Sequence, residues 1–288
     1  MTTFPIDLHI HTSYSDGRYS PEALLRRAVE RGMHTLAFTD HDNANGYRAA
    51  LPLAETVGIR LIPGIEFTSR WPHCEALIAD FDVDILGYFV DVDCPTFRAF
   101  EQAALRDMFA RVEERCAILT QAGYPIGLDD VFAENPHYAG AIYLLQAIQR
   151  KGYAATADDA WRILDLSRHG LRLSSFTVYQ VIEHIHRAGG VALLAHPTAI
   201  TRQHPWFQAH HLSMLVEMGL DGIEVYHPHL TDEARTYFLD MARRFHLVVS
   251  GGSDEHGWNS GLHRLGNQAV TQDVVERLEE RANERRAA

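Results

Sequence analysis

A single lysine, Lys151, stands against 25 arginines, and three cysteines (Cys74, Cys94 and Cys116) are scattered through 288 residues. So few cysteines exclude a disulfide framework and a thiolate metal site, and they suit a reducing compartment. The lysine scarcity can reflect nucleotide composition and carries no functional weight. No apolar run approaches 18 residues and no signal-peptide pattern opens the chain, so a soluble, cytoplasmic protein with no membrane partner is expected. Internal repeats and low-complexity linkers are also lacking. Basic charge is in deficit, with 26 Lys and Arg against 38 Asp and Glu and a net charge of −12. That excludes a broad non-specific footprint on long duplex nucleic acid and leaves room for a local basic pocket. Histidine, in contrast, is plentiful. The 18 His exceed what packing needs and direct attention to metal ligands.

The chain is organised around its first strand and the turn after it, Ile6-Asp7-Leu8-His9-Ile10-His11-Thr12-Ser13-Tyr14-Ser15-Asp16-Gly17. Residues two apart on a strand share a face, so His9 and His11 can reach one ion, and Asp16 can return a carboxylate to the same mouth. Ser20-Pro21 then opens a helix, Ser as N-cap and Pro in the first turn, with Leu24, Leu25, Ala28 and Val29 as its apolar stripe. Short apolar strands are expected at 35–39, 59–65, 83–89, 190–194, 222–225 and 247–250. Helices are expected at 46–57, where Pro52 can disturb the run, at 231–245, and from Asp273 as a charged, solvated tail. Residues 97–188 read as mostly helical, with a long helix over 97–122 and shorter ones near 137–150, 156–166 and 178–188. The expected layout is therefore a βα framework over 1–96 and 189–288, interrupted by a helical insertion or cap over 97–188.

Strands alternating with helices imply a parallel sheet. About seven of them in one unit suggest a barrel with its site at the C-terminal strand ends. Candidate ligands fall at those ends: His9, His11, Asp16, His41, Glu66, Asp84, His196, Asp254 and His256. Imidazole and carboxylate without thiolate suit Mn, Fe or Zn. Nine ligands exceed the needs of one ion, so two or three divalent ions are implied, with Glu66 able to bridge two of them. A carboxylate at Asp84 inside an apolar run is costly unless paired or metal-bound.

The motifs D-x-H-x-H-T, S-D-G, T-D-H-D, G-x-E, A-H-P and G-S-D-x-H occur in this order through residues ~5–90 and ~189–257. In them the chain resembles the polymerase and histidinol phosphatase (PHP) family. The resemblance implies a distorted (β/α)7, TIM-like barrel of the α/β class and a trinuclear site for phosphoester hydrolysis. It assigns His9, His11, Glu66 and Asp254 to a first ion, Glu66, Asp84 and His196 to a second, and Asp16, His41 and His256 to a third. The placement of the helical insertion before A-H-P is similar to that of the family's stand-alone nucleotide phosphatases and exoribonucleases. Two departures stand out. Where the family usually has His before I-L-G-Y, this chain has Asp84, a harder ligand that tilts the second site toward Mn or Fe; should Asp84 not ligate, the centre holds two ions. Where the nucleotide enzymes carry an Arg two residues before a His in the insertion, this chain has Asn135-Pro136-His137, and no Lys-Pro stretch follows around 168–174.

The chemistry expected is attack on phosphorus by a metal-bridging hydroxide, which needs positioning and charge stabilisation and no protein nucleophile. Glu66, Asp254 and His256 are the catalytic candidates, the last two as proton shuttles. His137, Arg202 and His229 are the first candidates for substrate contact, with Arg18, Arg235 and Arg264 behind them. His227 and His229 form a second H-x-H that can face substrate, whereas His204, His210 and His211 read as structural or exposed. The expected activity is hydrolysis of a small phosphorylated metabolite, foremost a nucleotide, as a phosphomonoester such as a 3′,5′-bisphosphate or as a cyclic phosphodiester. The alternatives are a 5′-3′ exoribonuclease on short RNA, a histidinol phosphatase, and a non-catalytic PHP-like binding module.

Overall fold

The computed structural model describes residues 3–71, 81–167, 172–203, 209–258 and 264–287, with backbone alone at 201–203. In chain order the elements are β1 (Ile6–Ile10), α1 (Pro21–Glu30), β2 (Thr35–Phe38), α2 (Asn45–Val57), β3 (Arg60–Trp71) and β4 (Phe81–Tyr88). Then come α3 (Pro95–Gln121), α4 (Leu128–Phe132), α5 (Ala141–Arg150), α6 (Ala157–Asp165) and α7 (Val178–Arg187). The chain closes with β5 (Val191–Leu194), α8 (Pro197–Gln203), α9 (Ala209–Glu217), β6 (Gly222–Tyr226), α10 (Asp232–Arg244), β7 (Val248–Gly251) and α11 (Gln272–Ala287). The Ser20 hydroxyl caps α1 by accepting from Ala23 N, and α2 runs through Pro52 unbroken.

The seven strands form one sheet in the order β1 to β7. Beyond β7 the chain turns back onto β1, where Asp254 N donates to His9 O at 2.9 Å and His11 N to Glu255 O at 3.1 Å. Pairing is parallel except around β4, which runs antiparallel to both β3 and β5. The expectation of an all-parallel sheet is corrected here. β3 and β4 are each longer than expected because they pair as a ladder from Gly64↔Tyr88 to Trp71↔Phe81. Two ligand candidates therefore do not sit at C-terminal strand ends. Glu66 lies mid-strand, and Asp84 lies in the first half of β4, brought to the mouth by the reversal. Glu66 opposes Leu86, and Asp84 is two residues along the same face.

Alternation sorts the core. Leu36, Phe38, Ile65, Phe67, Ile85, Leu194, Ile223 and Val225 pack toward the flanking helices. Ala37, Ile62, Leu86, Tyr88 and Leu193 form a second cluster on the face that also carries Glu66 and Asp84. In β1 the register shifts between Asp7 and Ile10. This bulge lets Leu8 join the inner cluster while Ile10 packs outward. The last helix is not solvated all round, as its charge suggested. Val274, Val275 and Leu278 of α11 are buried in the inner cluster.

The helical stretch between β4 and β5 divides by its packing. Phe97, Phe100 and Ala104 of α3, with Val181 and Ile185 of α7, belong to the core around the sheet. Met108, Val112, Cys116 and Leu119 of α3 pack instead with α4, α5 and α6 in a separate cluster. The long α3 thus ties the sheet to the helical cap.

Truncating Leu278, fully buried on α11, leaves a cavity in the inner cluster. Leu278→Ala should destabilise the fold by about 2–5 kcal/mol in denaturant unfolding. A loss near zero would mean that α11 is dispensable.

Candidate metal centre

His9, His11, Glu66 and Asp254 converge on one point. The His9 and His11 Nε2 atoms face each other at 3.1 Å, and each is 3.2 Å from Glu66 Oε2. Asp254 Oδ1 lies 3.5 Å from His9 Nε2 and 3.3 Å from His11 Nε2. The other oxygen of Glu66, Oε1, is 2.9 Å from His196 Nε2, and Asp84 Oδ2 is 3.8 Å from the same nitrogen. On the opposite side Asp16 reaches His256 Nε2 at 3.2 Å, His11 Nδ1 at 3.4 Å and His41 Nε2 at 3.7 Å. Three groups result whose donor atoms are close enough to share an ion: His9, His11 and Asp254; Glu66, Asp84 and His196; and His11, Asp16, His41 and His256. His11 belongs to two of them, through different ring nitrogens. The structure therefore brings all nine sequence-derived ligand candidates into one centre.

Local folding explains the convergence. Gly17 allows the turn that returns Asp16, since a Cβ there would overlap the His11 carbonyl, and a Cβ at Gly252 would overlap the His9 backbone. His196 and Asp254 both have positive φ, 24° and 50°. Such backbone is sparsely populated for non-glycine residues and is held where surrounding structure demands it.

Buried carboxylates absent from the ligand candidates hold the ligands in place. Glu224, fully buried within β6, accepts from His9 Nδ1 at 2.9 Å and from His196 N at 2.8 Å, fixing which nitrogen of His9 faces the centre. Asp7 accepts from Ser253 N and Gly266 N, both at 2.8 Å. Asp40 takes Thr12 N, Thr12 Oγ1 and Ser15 Oγ at 2.6–2.7 Å. Asn135 is buried. Its Nδ2 donates to Ser13 O at 2.9 Å and Ser15 O at 3.0 Å. Tyr143 donates to Ser15 O, and Trp258 Nε1 to Asp16 O at 2.6 Å. Asn135 and Tyr143 from the helical stretch before β5, with Trp258 after β7, thereby clamp the turn that carries Asp16.

The electrostatics fit a cation. Burial opposes ionisation throughout, yet charge pairing wins at most positions. His9 and His41 hold Glu66, and His256 and His9 hold Asp254, well below the usual carboxylate range. Burial lowers the His196 pKa, but Glu66, Asp84 and Asp254 outweigh it and raise it to about 9. Against the same opposition Asp16 and Asp254 raise that of His256 to about 10. Asp84 is instead raised, by burial and by the charge of Glu66. Facing imidazole nitrogens cannot both donate, and a lone-pair-rich, buried donor set of His and carboxylate fits a divalent ion of the Mn, Fe and Zn class. His41 Nδ1 is buried without a hydrogen-bond partner, in accord with the same fit.

Two cavities flank the centre. One, about 420 Å³, is bordered by Asp16, His41, Tyr138 and three arginines, Arg111, Arg115 and Arg172. The other, about 190 Å³, is lined by His196, His227, His229 and Asp254, with His227 Nε2 3.3 Å from Asp254 Oδ2. Of the substrate-contact candidates, His229 lines the smaller cavity. His137 is exposed with its ring on Tyr14, 4.5 Å between centroids, and lines neither cavity. Arg202 lies on α8, its side chain outside the described residues, as is His204. His211 is buried on α9.

A PHP domain model matches residues 7–125. A phosphoribosyl 1,2-cyclic phosphate 1,2-diphosphodiesterase from Eggerthella lenta is 32% identical over 266 residues, spanning 87% of this chain and 94% of that protein. The chain belongs to the PHP family. The 5′-3′ exoribonuclease Rnm of Escherichia coli is likewise 32% identical, over 87% of this chain and 84% of its own length. A 3′,5′-nucleoside bisphosphate phosphatase from Chromobacterium violaceum is 28% identical, over 91% and 90%. Among solved structures, a protein from Bifidobacterium adolescentis described as a metal-dependent phosphoesterase superposes with a TM-score of 0.80 at 28% identity, covering 95% and 94%. As a PHP protein the chain is a hydrolase of phosphoester bonds, its family's metal dependence matched by the three ligand groups. Among the described residues no helix is long and apolar enough to cross a membrane.

Two outcomes test this PHP centre. Because His196 and His256 titrate near 9 and 10 when folded and near 6.5 when unfolded, their stabilising contribution is complete below pH ~6.5 and is lost as pH rises through 9–10. Chelator-treated protein should therefore lose thermal stability between pH 7 and 10. Manganese should bind more tightly as pH rises, because it displaces those protons. A flat Tm profile would contradict the assignment. Glu224→Gln should weaken metal affinity about 10–100-fold by equilibrium dialysis, with the fold retained.

Proposed function

We propose that this chain hydrolyses a phosphoester of a small nucleotide-like metabolite with two or three divalent ions, manganese or iron ahead of zinc. The observation that carries the reading is Glu66, whose two oxygens face different histidine sets, Oε2 toward His9 and His11 and Oε1 toward His196. A carboxylate so placed would contribute an oxygen to each of two ions, which would stabilise the attacking and leaving oxygens of an in-line displacement at phosphorus. His9, His11, Glu66 and Asp254 would hold one ion, Glu66, Asp84 and His196 a second, and Asp16, His41 and His256 a third. When bound, the ions supply Lewis acidity, which activates water and neutralises developing charge on the phosphoryl oxygens.

The chain's own residues do the rest. Asp254, between the His9 and His11 pair and His227, and His256, against Asp16, are placed to move protons. Glu224, Asp7 and Asp40 keep the ligands oriented. His229 borders the smaller cavity, where a substrate group beyond the reacting bond would lie. The Eggerthella, Chromobacterium and Escherichia relatives support a cyclic phosphate, a bisphosphate and an RNA respectively. The cavity of about 420 Å³ holds a mononucleotide more readily than a strand, which favours the metabolite.

Manganese-loaded protein should act on one member of a panel of adenosine 3′,5′-bisphosphate, AMP and a cyclic sugar phosphate, releasing phosphate from either nucleotide or opening the cyclic diester to its monoester. It should leave histidinol phosphate and a 5′-phosphorylated tetranucleotide nearly untouched. Stepwise release of mononucleotides from the tetranucleotide would replace this reading with RNA turnover. His41→Ala and Asp254→Ala should each abolish turnover with modest loss of stability, and full activity in either would contradict the assigned centre.

A further inference from the structure

The larger cavity holds three guanidinium groups in unequal circumstances. Arg111 on α3 is 3.2 Å from Asp82 Oδ2 and 3.4 Å from Asp107 Oδ2. Arg172, in the segment before α7, reaches Asp107 Oδ1 at 2.6 Å, Glu114 Oε1 at 2.8 Å and Ser175 Oγ at 3.0 Å. These pairs fasten α3 to the start of β4 and to the segment before α7. They also commit Asp82, the carboxylate that lines the cavity beside the arginines and also accepts from Ser174 N at 3.0 Å. Arg115, one helical turn beyond Arg111, has no hydrogen bond and no ion pair among the described residues, although it is half-buried. Burial and the adjacent Arg111 work against its charge and lower its pKa, outweighing the more distant charge of Asp165. A desolvated cation without a directly paired carboxylate is costly, and here it borders a cavity that also contacts Asp16 and His41.

We propose that this cavity is a subsite for a second, non-reacting phosphate of the substrate, with Arg115 as the group that recognises it. The inference rests on the phosphoesterase reading and specifies its substrate as one carrying two phosphate groups. A phosphate monoester supplies a directly paired anion, and a guanidinium fork matches its oxygens in a bidentate way. Arg111 and Arg172 border the same space but are already paired, so they serve mainly to build and hold the walls. The volume of about 420 Å³ exceeds a phosphate, and the remainder, lined by Tyr138, Met108 and Val112, suits the nucleoside portion.

The test compares adenosine 3′,5′-bisphosphate with 5′-AMP and 3′-AMP on the manganese-loaded full chain. Arg115→Gln and Arg115→Lys are the test variants, with exposed Arg106→Gln on the same helix as a charge control. Wild type should prefer the bisphosphate in kcat/KM. Arg115→Gln should reduce that preference about 10–100-fold, through KM, with Arg115→Lys intermediate and Arg106→Gln like wild type. Calorimetric titration of chelator-treated protein gives a reading independent of turnover. Wild type should bind the bisphosphate more tightly than either monophosphate, and Arg115→Gln should bind all three alike. An unchanged preference in folded Arg115→Gln, or equal binding of mono- and bisphosphate by wild type, would overturn the subsite. Failure of the wild type to hydrolyse any of the three nucleotides would instead count against the nucleotide phosphoesterase reading, and the binding comparison would still judge the subsite.

Discussion

Glu66 is the constraint on which the rest of the structure turns. It is fully buried, and its two oxygens are claimed from opposite sides by His9 and His11 and by His196. Around it stand Asp16, Asp84, Asp254 and Glu224. Such a concentration of buried carboxylate is tolerable only if cations offset it. In the protein alone the imidazoles do so, drawn to high pKa by the same carboxylates. A divalent ion does so with fewer particles and more directional bonds. The motifs are thus one electrostatic unit distributed over strand ends and turns.

The scaffold serves that unit. Reversal of β4 brings Asp84 to the mouth from the first half of a strand, and the bulge in β1 lets Leu8 and His9 serve the core and the centre in succession. α11 closes the inner cluster with Val274, Val275 and Leu278. Above the mouth, the cap reaches down through Asn135 and Tyr143 to hold the Asp16 turn, while α3 extends from the sheet core into the cap and carries Arg111 and Arg115 along the way.

Much of this was legible in the sequence. The nine ligand candidates could be read because each breaks an apolar strand or follows its end, and because metal ligation requires particular side chains at particular offsets. Helices such as α6, α7 and α10 fell close to their expected limits, because Thr156, Thr177 and Thr231 are strong N-caps. The direction of β4 was hidden, since an apolar run reads the same in either orientation. The buried face of α11 was masked by its charged residues. Glu224 did carry a signal, a carboxylate inside an apolar strand like Asp84, but no motif drew attention to it. Arg111, Arg115 and Arg172 could not be told from surface arginines, because their shared cavity depends on how α3 lies against β4 and the segment before α7.

The most direct test of the central claim is to count ions. Manganese bound per chain, measured by dialysis and elemental analysis at neutral pH, should be two to three in the wild type and at least one fewer in Glu66→Gln, whose amide can no longer serve both sides. Equal stoichiometry in the two proteins, with Glu66→Gln folded, would contradict a centre built on a bridging Glu66.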